Sequence, residues 1–240
     1  AANWLQVSTF GFKRLVSSVG FPVDVNKWEV PPQTVTAYNS ISPNELVVPA
    51  GIIQDPFFLV DFPPPMRFAG IGMVCGHELT HGFDNQGRHY DYTGKLHDWW
   101  SEDSAIHFQQ KADCFVRQYS SYEVQPGLHL NGSFTLGENI ADNGGIKEAW
   151  LGYKSVIGND GGKLSIVPGI TNDELFFIEF GQIWCFKMTP EYERLWVATN
   201  SHSTPKYRVI GAISNSVEFA QVFKCGNSSK LNPPNKCKIW

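Results

Sequence analysis

The chain has 240 residues, 42% hydrophobic, 14% aromatic and 18% charged, which is enough apolar content for a packed core and excludes a disordered or low-complexity protein. Lys and Arg total 19 against 23 Asp and Glu, and the formal net charge of −4 offers neither a nucleic-acid footprint nor a polybasic membrane patch. No run approaches the ~18 unbroken apolar residues of a membrane span, and Ala1-Ala2-Asn3-Trp4-Leu5 does not read as a signal peptide.

Residues 1–33 read as a short helical or irregular stretch ending at Pro31-Pro32. Two β-rich runs follow, Thr34 to Tyr38 and Leu46 to Val48, around a Pro43-Asn44 turn, and predict a hairpin. After the rigid Pro63-Pro64-Pro65 break comes a Gly-containing apolar run, Phe68 to Val74. Residues 84–98 predict a long loop. A helix is expected from near Ser101, with Phe108, Ala112, Phe115, Val116 and Tyr119 on one face. Thr135 and Glu138 have capping-box spacing ahead of a helix running towards Ile157. Thr171 and Glu174 repeat it, with Phe176, Phe177, Phe180, Ile183 and Trp184 as the apolar stripe; a last short helix is expected over 216–223. Strands early and helices late make an α+β pattern.

Two features point outside the cytosol. Asn131 and Asn227 begin glycosylation sequons, and the five cysteines lack the CxxC spacing of a zinc ribbon, which favours disulfides in an oxidising compartment. Five is odd, so at least one is free or pairs outside this chain.

The chemistry concentrates in His77-Glu78-Leu79-Thr80-His81, an HExxH sequence. On a helix, positions i and i+4 share a face, so both imidazoles can hold one Zn²⁺ with Glu78 beside its open position. A third ligand is required. Asp84 and Gly87 stand where a longer HExxHxxGxxH motif would need Gly and His, which excludes that class. Glu138 is the candidate, with Asp142 one turn on, placed to hold a histidine N–H. Asp84 could do the same if the helix persists that far. Spacing alone leaves Glu138 divided between metal ligand and capping-box partner.

His77 to Asp84 (HELTHGFD) and Glu138 to Gly145 (ENIADNGG) resemble the neprilysin and endothelin-converting enzyme family of zinc metallopeptidases. So do Val48-Pro49-Ala50-Gly51-Ile52, His202-Ser203 with Tyr207 to Gly211, and Asn232-Pro233-Pro234 with Cys237 to Trp240. The resemblance implies a thermolysin-like zincin core over 67–150 and a substrate edge-strand region over 34–62. Residues 1–240 would form the C-terminal catalytic portion of a longer ectodomain, with an N-terminal portion absent from this chain. His77, His81 and Glu138 would bind one zinc ion per chain, with Glu78 as general base on the zinc water. Asp84 and Asp142 would orient the histidines, His202 would stabilise the oxyanion, and Arg208 would bind a substrate carbonyl.

Thr36 and Ala37 would line the edge strand, although the family usually has Asn in place of Thr36. Ile52, Phe57, Met73, Val74, Ile183 and Trp184 would line an apolar pocket for the residue after the scissile bond. That pocket implies cleavage of short extracellular peptides on the amino side of hydrophobic residues. Cys114 would pair with Cys237; Cys185 and Cys225 match cysteines whose partners lie outside this chain, with pairing to each other or a reduced state as the alternatives, and Cys75 has no usual counterpart. The expected setting is a cell-surface or secreted ectodomain acting on peptides, not nucleic acid. A catalytically silent cell-surface relative is the alternative, and the intact His77, Glu78, His81, Glu138 and Asp142 argue against it.

Overall fold

A computed structural model describes residues 2–22, 24 and 26–239. Trp240, the end of the C-terminal motif, lies outside the described residues. The opening stretch is helical as α1 (Ala2–Ser17), and its apolar side chains, Trp4, Phe10 and Leu15 among them, are exposed.

The expected hairpin forms, with its first strand later and shorter and its second one residue earlier. Strand β1 (Tyr38–Ser40) pairs antiparallel with β2 (Glu45–Val47), so Thr34 to Ala37 lead into the strand without belonging to it. Asn44 turns the chain at φ 54°, a left-handed conformation that Asn tolerates. The hairpin is bound to the next layer by Asn39, whose Nδ2 donates to the Glu78 carbonyl at 2.9 Å.

Proline at the first turn starts α2 (Pro64–Arg67), and a π-helical turn over Phe68–Gly72 passes into α3 (Met73–His81). The expected loop over 84–98 is largely that, with a single 3₁₀ turn at Gly87–His89 and one bridge between Tyr90 and Leu96. Helix α4 (Glu102–Ser120) starts where its cap requires, the Ser101 hydroxyl accepting from Ser104 N–H. Phe108, Ala112, Phe115 and Tyr119 are its buried face. A short antiparallel pair, β3 (Glu123–Gln125) and β4 (Leu128–His129), leads to α5 (Leu136–Ile157).

Thr135 does not cap α5 in the expected way. Its backbone sits at φ −96°, ψ 10°, away from the extended cap geometry, and its side chain accepts no helix N–H. The hydroxyl donates to Asn131 O and accepts from Asn139 Nδ2 instead. No capping box forms, and Glu138 is released for another role. The Thr171–Glu174 box is present and starts α6 (Asn172–Gln182).

Three more helices follow: α7 (Pro190–Thr199), α8 (Pro205–Asn215) and α9 (Val217–Val222). The first two were missed in the sequence, although Thr189-Pro190 and Thr204-Pro205 carry the signal: a hydroxyl residue at the cap and proline at the first helical position.

Helix α5 is the axis of the molecule. One core lies along its later half, where Ile146, Trp150 and Tyr153 meet Met73, Phe176, Phe180 and Ala212. The other lies along its start, where Leu136 and Ile140 meet Phe108, Phe115, Tyr119 and Tyr207. The second core is closed by the Cys114–Cys237 disulfide, which joins residues 123 apart in sequence. A loop of that size is worth about 5 kcal/mol in the chain-entropy account. Replacing both cysteines by serine should lower the melting temperature by roughly 10 °C; calorimetry showing no change would refute a stabilising role.

One buried acid works against stability. Glu179 on α6 is almost fully enclosed, its Oε1 has no hydrogen-bond partner, and burial followed by the nearby Asp55 charge pushes its pKa up to about 7. The unfolded chain releases that proton near 4.5, so stability drains away as pH rises from about 4.5 to about 7. At roughly 1.4 kcal/mol per pKa unit the cost is on the order of 3 kcal/mol. Glu179→Gln should therefore melt higher than the parent at pH 8 and gain nothing at pH 4.5; equal gains at both pH values would exclude ionisation as the cause.

Candidate metal centre

Helices α3 and α5 cross at glycines. A Cβ on Gly145 would lie 2.7 Å from both His77 N and Met73 O, and one on Gly76 would lie 3.0 Å from Gly145 Cα. The Asn143-Gly144-Gly145 run therefore serves as a notch into which α3 fits backbone to backbone. That approach brings the first two turns of α5, with Glu138 and Asp142, against the face of α3 that carries His77 and His81.

Three ligand atoms converge there. His77 Nε2 and His81 Nε2 are 3.1 Å apart, and Glu138 Oε2 lies 3.2 Å from the first and 3.4 Å from the second. The outer nitrogens are already taken. His77 Nδ1 is 2.8 Å from Asp142 Oδ1, and His81 Nδ1 is 2.7 Å from Asp84 Oδ2. With the Nδ1 protons donated to these carboxylates, the neutral imidazoles turn Nε2 lone pairs inward. Glu138 Oε2 is buried with no donor aligned on it.

Electron-rich atoms facing one another in a buried place call for positive charge between them. Burial disfavours the imidazolium of each histidine, yet acceptance by Asp142 and the adjacent Glu138 carboxylate raise the pKa of His77. Acceptance by Asp84 and the same Glu138 carboxylate lift His81 to about 10. Burial likewise opposes the Glu138 carboxylate, but the imidazoles of His202, His77 and His81 hold its pKa far below the usual range. Donors 2.0–2.1 Å from a tetrahedral zinc ion stand about 3.3 Å from each other. The observed 3.1–3.4 Å spacings and the N, N, O donor set therefore fit Zn²⁺.

The helix does not persist to Asp84. It stops at His81, and Asp84 reaches the histidine from the following turn, where its Oδ1 accepts from Gln86 N–H and Gly87 N–H at 2.7 Å each. The Glu78 carboxylate lies within 4.8 Å of a ring nitrogen of each histidine, in a buried position.

Segments far away in sequence complete the cluster. His202, at the start of the turn into α8, places Nε2 3.0 Å from Glu138 Oε2. Read alone it was as easily an exposed loop residue; packing makes it a half-buried neighbour of the centre. Arg208 read alone was an ordinary surface cation, and it is buried. Its Nε and Nη2 donate to Asp142 Oδ2 and Oδ1 at 2.8 and 2.6 Å, and its guanidinium stacks 3.8 Å over the Trp184 ring. Burial resists the Asp142 charge, but Arg208 and His77 bring its pKa down to about 2. The Asp142–histidine contact was expected; its extension to Arg208 was not, because spacing says nothing about partners 66 residues apart.

Of the apolar residues expected at a substrate pocket, Ile52, Met73 and Val74 are buried. Ile183 and Trp184 are partly buried against the core that contains Met73, and Phe57 is partly buried. Met73 is fully enclosed and serves the core. Thr36 turns its hydroxyl onto its neighbour, donating to the Ala37 carbonyl at 3.1 Å. Of the cysteines outside the disulfide, Cys75 is half-buried with its thiol pKa raised by burial and then by Glu78. Cys185 is exposed and Cys225 half-buried, both unpaired. Asn131 and Asn227 are exposed.

The family model described as Peptidase family M13 matches residues 36–239. Human endothelin-converting enzyme 1 is 47% identical over 216 residues, 90% of this chain and 28% of its own length. Drosophila melanogaster neprilysin-3 is 42% identical over 240 residues, 99% of this chain and 30% of its own length. Among solved structures, Mycobacterium tuberculosis zinc metalloprotease Zmp1 bound to an inhibitor superposes with a TM-score of 0.89. It shares 36% identity, over 95% of this chain and 36% of that one. A Haemonchus galactose-containing glycoprotein complex superposes with a TM-score of 0.85 at 34% identity, over 93% of this chain and 38% of that one. The chain thus spans less than a third of the length of these two curated relatives.

Proposed function

The chain belongs to peptidase family M13, the family of endothelin-converting enzyme and neprilysin, and on that premise we propose that it carries the active site of a zinc-dependent endopeptidase. The substrates are short extracellular peptides cut on the amino side of large hydrophobic residues. The observation that carries this reading is the meeting of His77 Nε2, His81 Nε2 and Glu138 Oε2 within 3.4 Å, with the Glu78 carboxylate beside them.

His77, His81 and Glu138 would hold Zn²⁺, which when bound would supply a Lewis acid for the scissile carbonyl and make the attacking water more acidic. Glu78 takes the proton of that water and passes it to the leaving amine. His202 directs Nε2 at the oxyanion that develops on the carbonyl. Asp142 and Asp84 keep the Nδ1 protons of His77 and His81 outward, so that the Nε2 lone pairs stay available. Asp142 also fixes Arg208, whose remaining nitrogen, Nη1, takes the peptide carbonyl beyond the cut. The peptide lies as an added strand along Thr36-Ala37. With the Thr36 hydroxyl engaged by its own backbone, this contact rests on main-chain groups. Ile52, Phe57, Val74, Ile183 and Trp184 favour a large apolar side chain after the scissile bond.

An extracellular setting is supported by the Cys114–Cys237 disulfide and by the exposure of both sequons. None of the described helices is long and apolar enough to cross a membrane.

Zinc-loaded full-length protein should hold one zinc ion in this site and cleave peptides before Phe, Leu or Ile. Chelation should abolish cleavage and added zinc restore it. A zinc-loaded full-length protein that cleaves no such peptide would sink the proposal.

A further inference from the structure

Glu138 and His202 are neighbours in space, and so are the residues that follow each of them. Asn139 and Ser203 are both fully buried, and Ser203 Oγ donates to Asn139 Oδ1 at 2.7 Å. The Asn139 amide cannot turn away, because its Nδ2 donates to Thr135 Oγ1 at 2.8 Å. That hydroxyl in turn donates to Asn131 O at 3.1 Å. The unusual backbone of Thr135, which prevents the capping box, thus leaves its hydroxyl free for this chain of bonds.

Other contacts shape the turn around His202 without locating it on α5. Asn200 Oδ1 accepts from His202 N–H at 2.9 Å and stands 3.0 Å from its Nδ1. Trp196 Nε1 donates to the His202 carbonyl at 2.9 Å. Both partners belong to the same stretch of chain, from the end of α7. The Ser203–Asn139 bond instead joins the turn to the helix that carries Glu138, beside the approach of His202 Nε2 to Glu138 itself.

We propose that Asn139 and Ser203 are positioning residues that set the His202 imidazole at the metal centre; the inference rests on the role given to His202 under the proposed function. Residues 138 and 139 differ by about 100° around the helix, so one side chain faces the histidines of α3 while the next faces the 203 turn. A single rigid turn of α5 therefore holds both the proposed metal ligand and the clamp for the oxyanion donor. Their separation cannot drift as it could between two loops. A hydrogen bond between two buried groups has no water to replace it, so losing one partner leaves the other unsatisfied and lets the turn move.

The test is Ser203→Ala in zinc-loaded full-length protein. Its kcat should fall about 10- to 100-fold, the size of effect that follows a ~1 Å misplacement of a catalytic group. KM should stay within about twofold and zinc content should be unchanged, since neither His77, His81 nor Glu138 is touched. Placed in a His202→Ala background, Ser203→Ala should cost less than about twofold, because a residue acting through His202 has nothing left to position. Asn139→Ala cuts the same bond from the helix side and should behave alike, which keeps the question open to measurement if one variant does not fold. Full kcat in Ser203→Ala, or an undiminished loss in the His202→Ala background, would overturn the inference while leaving the peptidase reading intact. An inactive zinc-loaded wild type would instead overturn both.

Discussion

Glu138→Ala should lose zinc. The wild-type site brings two imidazole nitrogens and one carboxylate oxygen to spacings of 3.1–3.4 Å, and the variant keeps only the two nitrogens of α3. Outer partners such as Asp142 typically contribute 10–100-fold in metal affinity; a ligand atom should exceed that, so an affinity loss above about 1,000-fold is expected. The fold should survive, because Glu138 caps no helix and is not part of either apolar core. Metal content measured after dialysis against a zinc buffer, together with circular dichroism, decides the matter. A folded Glu138→Ala protein that retains wild-type zinc affinity would show that the third donor lies elsewhere. Asp142→Asn provides the graded comparison: it should weaken zinc binding less than Glu138→Ala, while loosening Arg208 as well as His77.

The second large effect separates binding from chemistry. Glu78→Gln should keep its zinc and lose peptide cleavage by about 10²–10⁴-fold, the usual contribution of a positioned general base. Two carboxylates approach the histidines, and their distances assign them different work. Glu138 Oε2 is 3.2 and 3.4 Å from the inward nitrogens, at the spacing of co-ligands, whereas the Glu78 carboxylate lies within 4.8 Å of a ring nitrogen of each histidine and makes none of the ion-pair contacts that Glu138 makes. An amide in its place has the same shape and cannot accept the proton. The loss should therefore appear in kcat, with inhibitor binding and metal content preserved. If Glu78→Gln also empties the site of zinc, the roles of the two glutamates would have to be exchanged.

Much of this centre was legible one residue at a time, and the limits have physical causes. The spacing of His77 and His81 is a property of any helix, so HExxH placed two donors and Glu78 without reference to the rest of the chain. Thr171 was readable as a cap because a cap is a contact between residues three apart. Thr135 had the same spacing and failed, because a tertiary demand was stronger: its hydroxyl bonds Asn131 and Asn139 instead. The hairpin was found in kind but displaced to Tyr38–Ser40, since strand ends depend on what the strand docks against, here α3 through Asn39. Glu138 was divided between two uses by spacing alone and was assigned through resemblance to the family; packing of α5 on α3 shows it facing the histidines.

What the sequence by itself determined, then, is whatever lies within one or two helical turns: the paired histidines, the adjacent Glu78, the glycine run of α5, and the starts of α4, α5, α6 and α9. What only the tertiary structure decided is which distant side chains share that space. The Gly145–His77 approach brings Glu138 to the histidines, and the return of the chain at 202–208 delivers His202 to Glu138 and Arg208 to Asp142. The physical reason is range. Backbone geometry fixes neighbours along a helix, whereas groups more than 60 residues apart meet only when complementary surfaces close. In this chain the closing surface is a pair of glycines thin enough to let two backbones touch.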